Sequence, residues 1–382
     1  MFKKLSQVQS QAEKRELFHL IRLSFSFFMK LAEFFSLLLL SSGLAWSIDA
    51  AVNKRIGAGA PAAGLSIALM LALLFLPRLI ILFSRGCFLA DFGLDPRPLG
   101  SRLKKIAVIE ARGYIFVWLA SLPIYAAMTF LNPWLWTLAA MIFGMALVFL
   151  NTRYPRLLEP AKLRPLAEDE LSPDFTARLS NWSSKSGLPF QRLAISLDFS
   201  PYLKRPCLRG FGSTTELIMD EKTLVAFSPR SLNFLIASAV LENISKAPFS
   251  YLFIRLCAVA VAAPLAAMFL NMTESGLWLY PLGEGGPALI CLVWLAAWVA
   301  SQMSAVAIHL TRRSIEIQTA AAALIILRDE ESLSQALDTL ADRNLEENSP
   351  PAWREFFLPS YGRKNFLKRV NFVRHMAEFE KK

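Results

Sequence analysis

The sequence has few of the residues that most often carry metal or thiol chemistry. Its three histidines are His19, His309 and His375, and no two stand at the spacing that lets one helix grip a metal ion. The motif H-E-x-x-H does not occur. The four cysteines form no C-x-x-C pair, so neither a disulfide framework nor a thiolate zinc site is indicated. P-loop, G-x-G-x-x-G and serine-nucleophile motifs are absent as well.

Charged residues are absent from long stretches of the chain. Segments 114–131, 133–151 and 286–310 contain no Asp, Glu, Lys or Arg. Segments 63–83 and 249–270 contain one arginine each, Arg78 and Arg255, and segment 31–48 contains Glu33. Because a helix of about 20 apolar residues crosses the hydrocarbon core of a bilayer, we predict about six transmembrane helices.

The net charge of +11 indicates an orientation in the membrane. Lys and Arg concentrate in segments 1–23, 85–112, 152–248 and 311–382, whereas the opposite loops hold only Lys54 and Arg55. The positive-inside rule therefore predicts cytoplasmic N- and C-termini. No basic–aromatic recognition module accompanies the charge, so we expect no nucleic-acid partner. The first apolar segment follows a long basic lead without a small-residue cleavage site, which argues against a cleavable signal peptide.

These patterns divide the chain into five parts. Residues 1–30 form an amphipathic, basic cytoplasmic lead, and 31–151 form four transmembrane helices with a cytoplasmic loop at 85–112. Residues 152–248 form a cytoplasmic α+β domain, 249–310 a transmembrane hairpin, and 311–382 a cytoplasmic helical tail. Within 152–248 we predict a helix at 174–185, extended runs at 192–199 and 208–219, and a helix from about residue 232 to 245. Ser228 is its expected N-cap, and Pro229 fits its first turn.

Several short motifs occur in an order that resembles a known family. Gly210-Phe-Gly212 resembles a G-x-G edge strand, Ser228-Pro229 the S-P that opens a zinc-binding helix, and Arg313-Ser-Ile-Glu316 an R-x-x-E signature. A basic tail reaching Arg369 follows. Together they resemble the integral-membrane zinc metalloproteases that include the type I CAAX prenyl protease and the bacterial heat-shock membrane protease. The resemblance implies a mostly α, polytopic helical bundle with a small cytoplasmic α+β domain like a degenerate gluzincin.

The zinc-binding positions depart from this family. Counting without gaps from Ser228-Pro229 places Ser238, Ala239 and Glu242 where the family has the H-E-x-x-H residues. A shift of three residues gives Leu241-Glu-Asn-Ile-Ser245, which keeps Glu242 as the base but also lacks both histidines. We prefer the first register because residues 234–237 then match the apolar A-V-L-A of the family.

The remaining family positions are retained only in part. Glu316 corresponds to the third zinc ligand, Ala320 replaces the aspartate that follows it, and Arg369 corresponds to the arginine of the tail motif. Zinc is expected of the family but its ligands are missing, so we expect no cofactor and no catalytic residue. The ordinary interpretation of Glu242 and Glu316 is a pair of charges that face water or bind an arginine such as Arg312 or Arg313.

Three functions are compatible with this pattern. The first is a catalytically inactive protease homologue that binds a peptide, a membrane protein or an active protease partner. The second is a metallopeptidase with a non-standard metal site at Glu242 and Glu316, and the third is a chamber for lipids or solutes. A bacterial inner membrane fits the short loops better than the endoplasmic reticulum.

Two further features have open interpretations. The segment Leu208, Arg209, Gly210, Phe211 and Gly212 is either an edge strand that accepts a peptide or a plain bend. Arg78 lies within an apolar span beside Pro77 and either faces an internal polar cavity or extends to the lipid headgroups.

Overall fold

The computed structural model describes residues 11–154, 162–166, 193–197, 202–274, 286–344 and 363–379, together with 173 and 177. Apart from residue 177, the predicted helix at 174–185 lies outside the described residues. The described chain forms two compact units. Unit 1 comprises residues 1–23, 150–253 and 307–382, and unit 2 comprises residues 24–149 and 254–306.

Helices make up most of the described chain, as predicted. The helices are α1 Gln11–Leu39, α2 Ala45–Ile56, α3 Ala60–Asp91, α4 Leu99–Phe130, α5 Pro133–Arg153, α6 Glu221–Ala226, α7 Pro229–Ile244, α8 Ala247–Glu274, α9 Ile290–Leu327, α10 Glu330–Asn344 and α11 Arg363–Phe379. Within the described residues, six helical segments are long and apolar enough to cross a membrane. They are Glu13–Ile56, Ala60–Asp91, Leu99–Phe130, Trp134–Arg153, Ala247–Asn271 and Pro287–Leu327, which confirms the prediction of a multi-pass membrane protein.

Two predicted boundaries fall inside continuous helices. Helix α1 runs from Gln11 to Leu39, so residues 11–30 of the lead and the start of the first span form one helix. Helix α9 likewise crosses the predicted boundary at 310–311. Neither helix contains Gly or Pro, and nothing in the local sequence therefore stops it. The break after α1 comes at a π-helical turn, Leu40–Leu44, where Gly43 has φ 116°.

A four-stranded sheet forms part of unit 1. Its strands are β1 Leu163–Pro165, β2 Leu193–Ser196, β3 Cys207–Arg209 and β4 Glu216–Asp220, in the spatial order β1-β2-β4-β3. The β2–β4 pair is parallel, and the two outer pairs are antiparallel. The strand predicted at 192–199 is confirmed by β2, whose residues are all buried because it is a central strand.

Each unit has its own hydrophobic core. In unit 1, side chains of β2 and β4 pack with α7, the C-terminal half of α9, α10 and α11; Ile195, Phe234 and Val370 are representative. In unit 2, residues from α1 and α3 pack with Cys291, Trp294 and Leu295 near the start of α9. The position of α7 in the core of unit 1 determines which of its residues remain available for chemistry.

Candidate functional site

Helix α7 begins as the sequence predicts. The Ser228 side chain accepts a hydrogen bond from the Ser231 N–H at 3.3 Å, and Pro229 occupies the first helical position. The cap satisfies a backbone donor that the helix leaves free, and proline has no such donor to lose. This start fixes the register of every later residue on the helix.

Most of α7 is enclosed by the unit 1 core. Residues 234–237, Ala239 and Val240 are all buried. Between residues 234 and 242, the polar residues are Ser238 and Glu242, which are one helical turn apart and only partly buried. Residues at i and i+4 share one face of a helix, so these two side chains form a polar stripe.

The stripe faces α9. The Ser238 hydroxyl donates a hydrogen bond to Thr319 Oγ1 at 3.3 Å, and the Thr319 hydroxyl donates to the Ile315 carbonyl at 2.9 Å. Ser238, which stands where the resemblance would place the first histidine, is thus hydrogen-bonded to Thr319.

Glu242, the second residue of the stripe, is influenced by the charges of an ion pair. Arg312 Nε is 2.8 Å from Glu316 Oε1, one turn away on α9, which confirms the expected arginine–glutamate pair. Burial, and then the negative charge of Glu316, raises the pKa of Glu242 to about 7, while the positive charges of Arg312 and Arg205 oppose that rise. Glu242 is therefore a proton-binding carboxyl near neutral pH.

A tyrosine lies close to the same charges. The Tyr251 hydroxyl is buried and has no hydrogen-bond partner within the described chain, and the charges of Glu242, Arg312 and Glu316 act on it. Thr319 and Tyr251 could not be singled out from the sequence, because neither belongs to a motif. Both come to the stripe through the packing of separate helices.

The geometry distinguishes the two registers of the motif. In the first, the replaced histidine positions are Ser238 and Glu242, which face the turn of α9 that carries Glu316. In the second, they are Leu241, which packs against the apolar core, and Ser245, which is exposed and donates to the Glu242 carbonyl. The first register is therefore the one that brings the replaced positions to Glu316.

These residues do not fit zinc. Structural and catalytic zinc sites are built from histidine, cysteine and carboxylate ligands, with at least three from the protein. Here the first histidine position is Ser238, which is hydrogen-bonded to Thr319, and the Glu316 carboxylate forms a salt bridge with Arg312. Across the residues that the structure describes, no three His, Cys, Asp or Glu side chains converge on a point.

Two other positions of the family motif are apolar packing residues, and one is on the surface. Ala239 and Ala320 are both buried within the hydrophobic core of unit 1. Arg369 lies exposed on α11, where it lines a groove with Ser314 and Gln318 of α9. Neither alanine has a polar side chain, so these positions add no ligand beside Glu316.

The predicted run at 208–219 is two strands joined by a turn. Leu208 and Arg209 lie on β3, but Gly210 has φ 89° and leaves the strand. A Cβ at Gly210 would lie 2.2 Å from the Thr214 carbonyl oxygen, so the close approach of the backbone requires glycine. Phe211 and Gly212 belong to this turn, so the G-x-G segment is not extended as the resemblance implies.

The turn is fixed to the end of α5. Arg153 donates to Ser213 Oγ at 3.0 Å and to the Phe211 carbonyl at 3.4 Å. The Thr214 hydroxyl in turn donates to the Arg153 carbonyl at 2.7 Å. These contacts hold the β3–β4 connection in one conformation.

The two edges of the sheet differ in their capacity to bind another strand. In the β1–β2 pair, Leu166 N–H donates to the Leu193 carbonyl at 3.0 Å, so the alternation of an antiparallel ladder turns the backbone nitrogen of Pro165 outward. Proline has no donor, and the outer edge of β1 is therefore blocked at that point. The edge strand β3 contains no proline, and its Cys207 is close enough to Glu242 and Arg312 for their charges to act on it.

Unit 2 contains a separate charge cluster around Arg78. The guanidinium contacts Glu33 at 3.2 Å and Glu110 at 2.9 Å, and Trp298 Nε1 donates to Glu33 at 3.0 Å. Lys30 approaches the same Glu33 carboxylate at 3.4 Å. Arg78 thus lies among side chains of α1, α4 and α9. The sequence showed Glu33 as a charge within an apolar segment, but Glu110 falls in the predicted loop 85–112, and only the continuous helix α4 brings it to Arg78.

Comparison with known proteins identifies a similar fold and no relative by sequence. No protein-family model and no curated protein matches the chain. The crystal structure of S. mikatae Ste24p is similar, with a TM-score of 0.58 and 12% sequence identity, over 86% of this chain and 80% of that chain. At this identity the match describes the fold, which is the polytopic bundle with a small sheet that the sequence predicts.

Proposed function

We propose that this chain is a catalytically inactive homologue of the membrane zinc metalloproteases, and that it binds an extended segment of a peptide or membrane protein along β3. The observation that carries the proposal is that other protein side chains occupy the positions where the family has zinc ligands. Ser238 is hydrogen-bonded to Thr319, and Glu316 forms a salt bridge with Arg312. The Ste24p-like fold supports a membrane-protease ancestry for this arrangement.

Binding by strand addition needs an edge with free backbone groups. The edge strand β3 meets that need better than β1, whose outer edge contains Pro165. The strand lies beside Glu242 and Arg312, so a bound segment passes the former catalytic position without meeting a metal. In this proposal the function is recognition, with the protein acting as a scaffold or as a regulatory partner of an active protease.

The orientation in the membrane is part of the proposal. The basic segments place the N- and C-termini in the cytoplasm, so that β3 meets cytoplasmic segments, and a bacterial inner membrane is the compartment we favour. A metallopeptidase built on Glu242 and Glu316 is the weaker alternative, because Arg312 already binds one of its two carboxylates.

Strand addition can be tested with the exposed thiol of Cys207. A benzophenone probe is attached to Cys207 in a Cys87→Ser/Cys257→Ser background, and fluorescein-labelled β-casein serves as the unfolded polypeptide. The matched control carries the probe on the other edge strand, at Arg164→Cys, with Cys207→Ser added. We expect crosslinked casein at β3 and little at β1. Equal crosslinking at both edges, or none at β3, would contradict binding there.

The register of the lost zinc site has its own test. Ser238→His with Glu242→His restores two ligands opposite Glu316, and the matched control is Leu241→His with Ser245→His. We expect measurable zinc binding in the first variant only, with both compared in detergent by equilibrium dialysis. Zinc bound by the control alone would show that the chosen register is wrong. Zinc bound by neither would show that Arg312 keeps Glu316 from the metal, and adding Arg312→Gln to both variants then tests whether Glu316 faces α7.

A further inference from the structure

A groove lies between α9 and α11 in unit 1, apart from the Ser238–Glu242 stripe. Its volume is about 330 Å³. One wall carries Ser314 and Gln318, which offer a hydroxyl and an amide, and the other carries Lys368, Arg369 and Phe372. Two cations, two neutral polar groups and an aromatic ring thus surround one space.

The outer face of α11 combines positive charge with exposed apolar side chains. Its inner face packs Phe366 and Val370 in the core, where both are buried. On the outer face, Phe372 is 67% exposed and Met376 is 53% exposed, with Lys368 and Arg369 beside them. A basic helix that exposes large apolar side chains is typical of one that lies at a membrane interface.

The position of the groove along α9 agrees with that interface. Helix α9 has 38 residues and is therefore about 57 Å long, more than the hydrocarbon core of about 30 Å requires. The charge-free part of this span ends at Leu310. Ser314 and Gln318 follow Leu310 by roughly 6 and 12 Å along the helix axis, so the groove begins within the headgroup layer, which is about 5–8 Å thick on each side, and extends past it towards water.

We propose that this groove binds the headgroup of an anionic phospholipid. Lys368 and Arg369 bind the phosphate, and the Ser314 hydroxyl, which accepts a hydrogen bond from the Gln318 amide at 3.4 Å, donates to a headgroup oxygen. The exposed ring of Phe372 packs against the apolar part of the lipid next to the headgroup. Interfacial lysines and arginines attract anionic lipid, and the apolar outer face of α11 distinguishes a lipid from a free anion. The site is independent of β3 and of the proposed peptide binding.

The test uses the full-length protein in mild detergent, with bound lipid counted by native mass spectrometry. The probes are dioleoyl phosphatidylglycerol, dioleoyl phosphatidylcholine and inorganic phosphate. The variant Lys368→Gln/Arg369→Gln removes the two cations, and Lys104→Gln/Lys105→Gln removes the same charge elsewhere. We expect preferential binding of phosphatidylglycerol, lowered about 30-fold by the first variant and unchanged by the second, since each interfacial cation supplies roughly a factor of five.

A second variant separates lipid from anion. Phe372→Ser should weaken phosphatidylglycerol binding, and inorganic phosphate should not displace the lipid. The proposal is overturned if phosphatidylglycerol shows no preference over phosphatidylcholine, or if both charge variants lower binding equally. It is overturned as well if inorganic phosphate displaces the lipid and Phe372→Ser has no effect, because the groove would then be an anion site only.

Discussion

The Arg78 cluster leads to the sharpest prediction about the transmembrane unit. Replacing Arg78 with methionine keeps an unbranched side chain of similar reach but removes the positive charge between Glu33 and Glu110. Lys30 still approaches Glu33, so Glu110 loses the cation that it contacts at 2.9 Å. The change therefore leaves a carboxylate without that partner among apolar helices.

The size of the effect follows from burial. Glu33 and Glu110 are 7% and 8% exposed, so water cannot replace the lost guanidinium. Removing one partner of a fully buried ion pair typically costs about 3–5 kcal/mol of unfolding free energy, and we expect a cost on the order of 2–3 kcal/mol here because the Arg78 side chain is 39% exposed. For a unit of this size, that cost lowers the melting temperature by an amount on the order of 10 °C. Adding Glu110→Gln to the variant should recover much of the loss, because a neutral amide is less costly to bury than an unpaired charge.

The assay compares melting of the purified protein in detergent by tryptophan fluorescence. Arg255→Met is the matched control, because Arg255 also lies in an apolar helix but is exposed. We expect Arg78→Met to melt far below the wild type and Arg255→Met to melt close to it. Equal melting temperatures for the two variants would refute the assignment of a stabilising role to the cluster.

Three further predictions concern variants of residues in unit 1. Glu242 has a pKa of about 7 in the folded state, above the usual 4.5 of a glutamate, so the folded state binds the proton more tightly and stability falls as pH rises between those values. Glu242→Gln should remove that slope and stabilise the protein by about 1–3 kcal/mol at pH 8, measured by melting at pH 5 and 8. Gly210→Ala should destabilise the protein more than Gly57→Ala, since both glycines have positive φ but only Gly210 lacks room for a Cβ. Asn344→Ala should cost about 2–3 kcal/mol, because its amide bonds both the N–H and the carbonyl of Leu203.

Each of these has a clear contrary result. An unchanged pH slope in Glu242→Gln would show that another group titrates in that range. Equal losses for Gly210→Ala and Gly57→Ala would show that the β3–β4 turn opens without cost. A wild-type melting temperature for Asn344→Ala would show that the loop before β3 is not held by α10.

The elements that the sequence predicted correctly are those that depend mainly on neighbouring residues. The serine–proline pair at the start of α7 predicted that helix because capping depends on adjacent residues, and apolar alternation predicted β2. The Arg312–Glu316 pair was predictable because i and i+4 side chains meet on any helix. The continuity of α1 and α9 was not anticipated, because a change from apolar to polar composition does not by itself end a helix.

Contacts between segments that are far apart in the chain could not be predicted from the sequence. The Ser238–Thr319 hydrogen bond joins residues 81 positions apart, and neither belongs to a recognised pair. The conformation of Gly210–Gly212 depends on the bonds to Arg153, which no pattern near the glycines reveals. The missing histidines were evident from the sequence, but only the packing of α7 against α9 showed which residues face Glu316.

The central claim is that the former zinc site no longer binds metal. The most direct measurement is elemental analysis of the purified, detergent-solubilised protein after zinc supplementation and dialysis, in parallel with Glu316→Ala. We predict no stoichiometric zinc in either sample, because Glu316 binds Arg312 and the histidine positions are Ser238 and Glu242. One zinc per chain in the wild type, lost in Glu316→Ala, would contradict the claim.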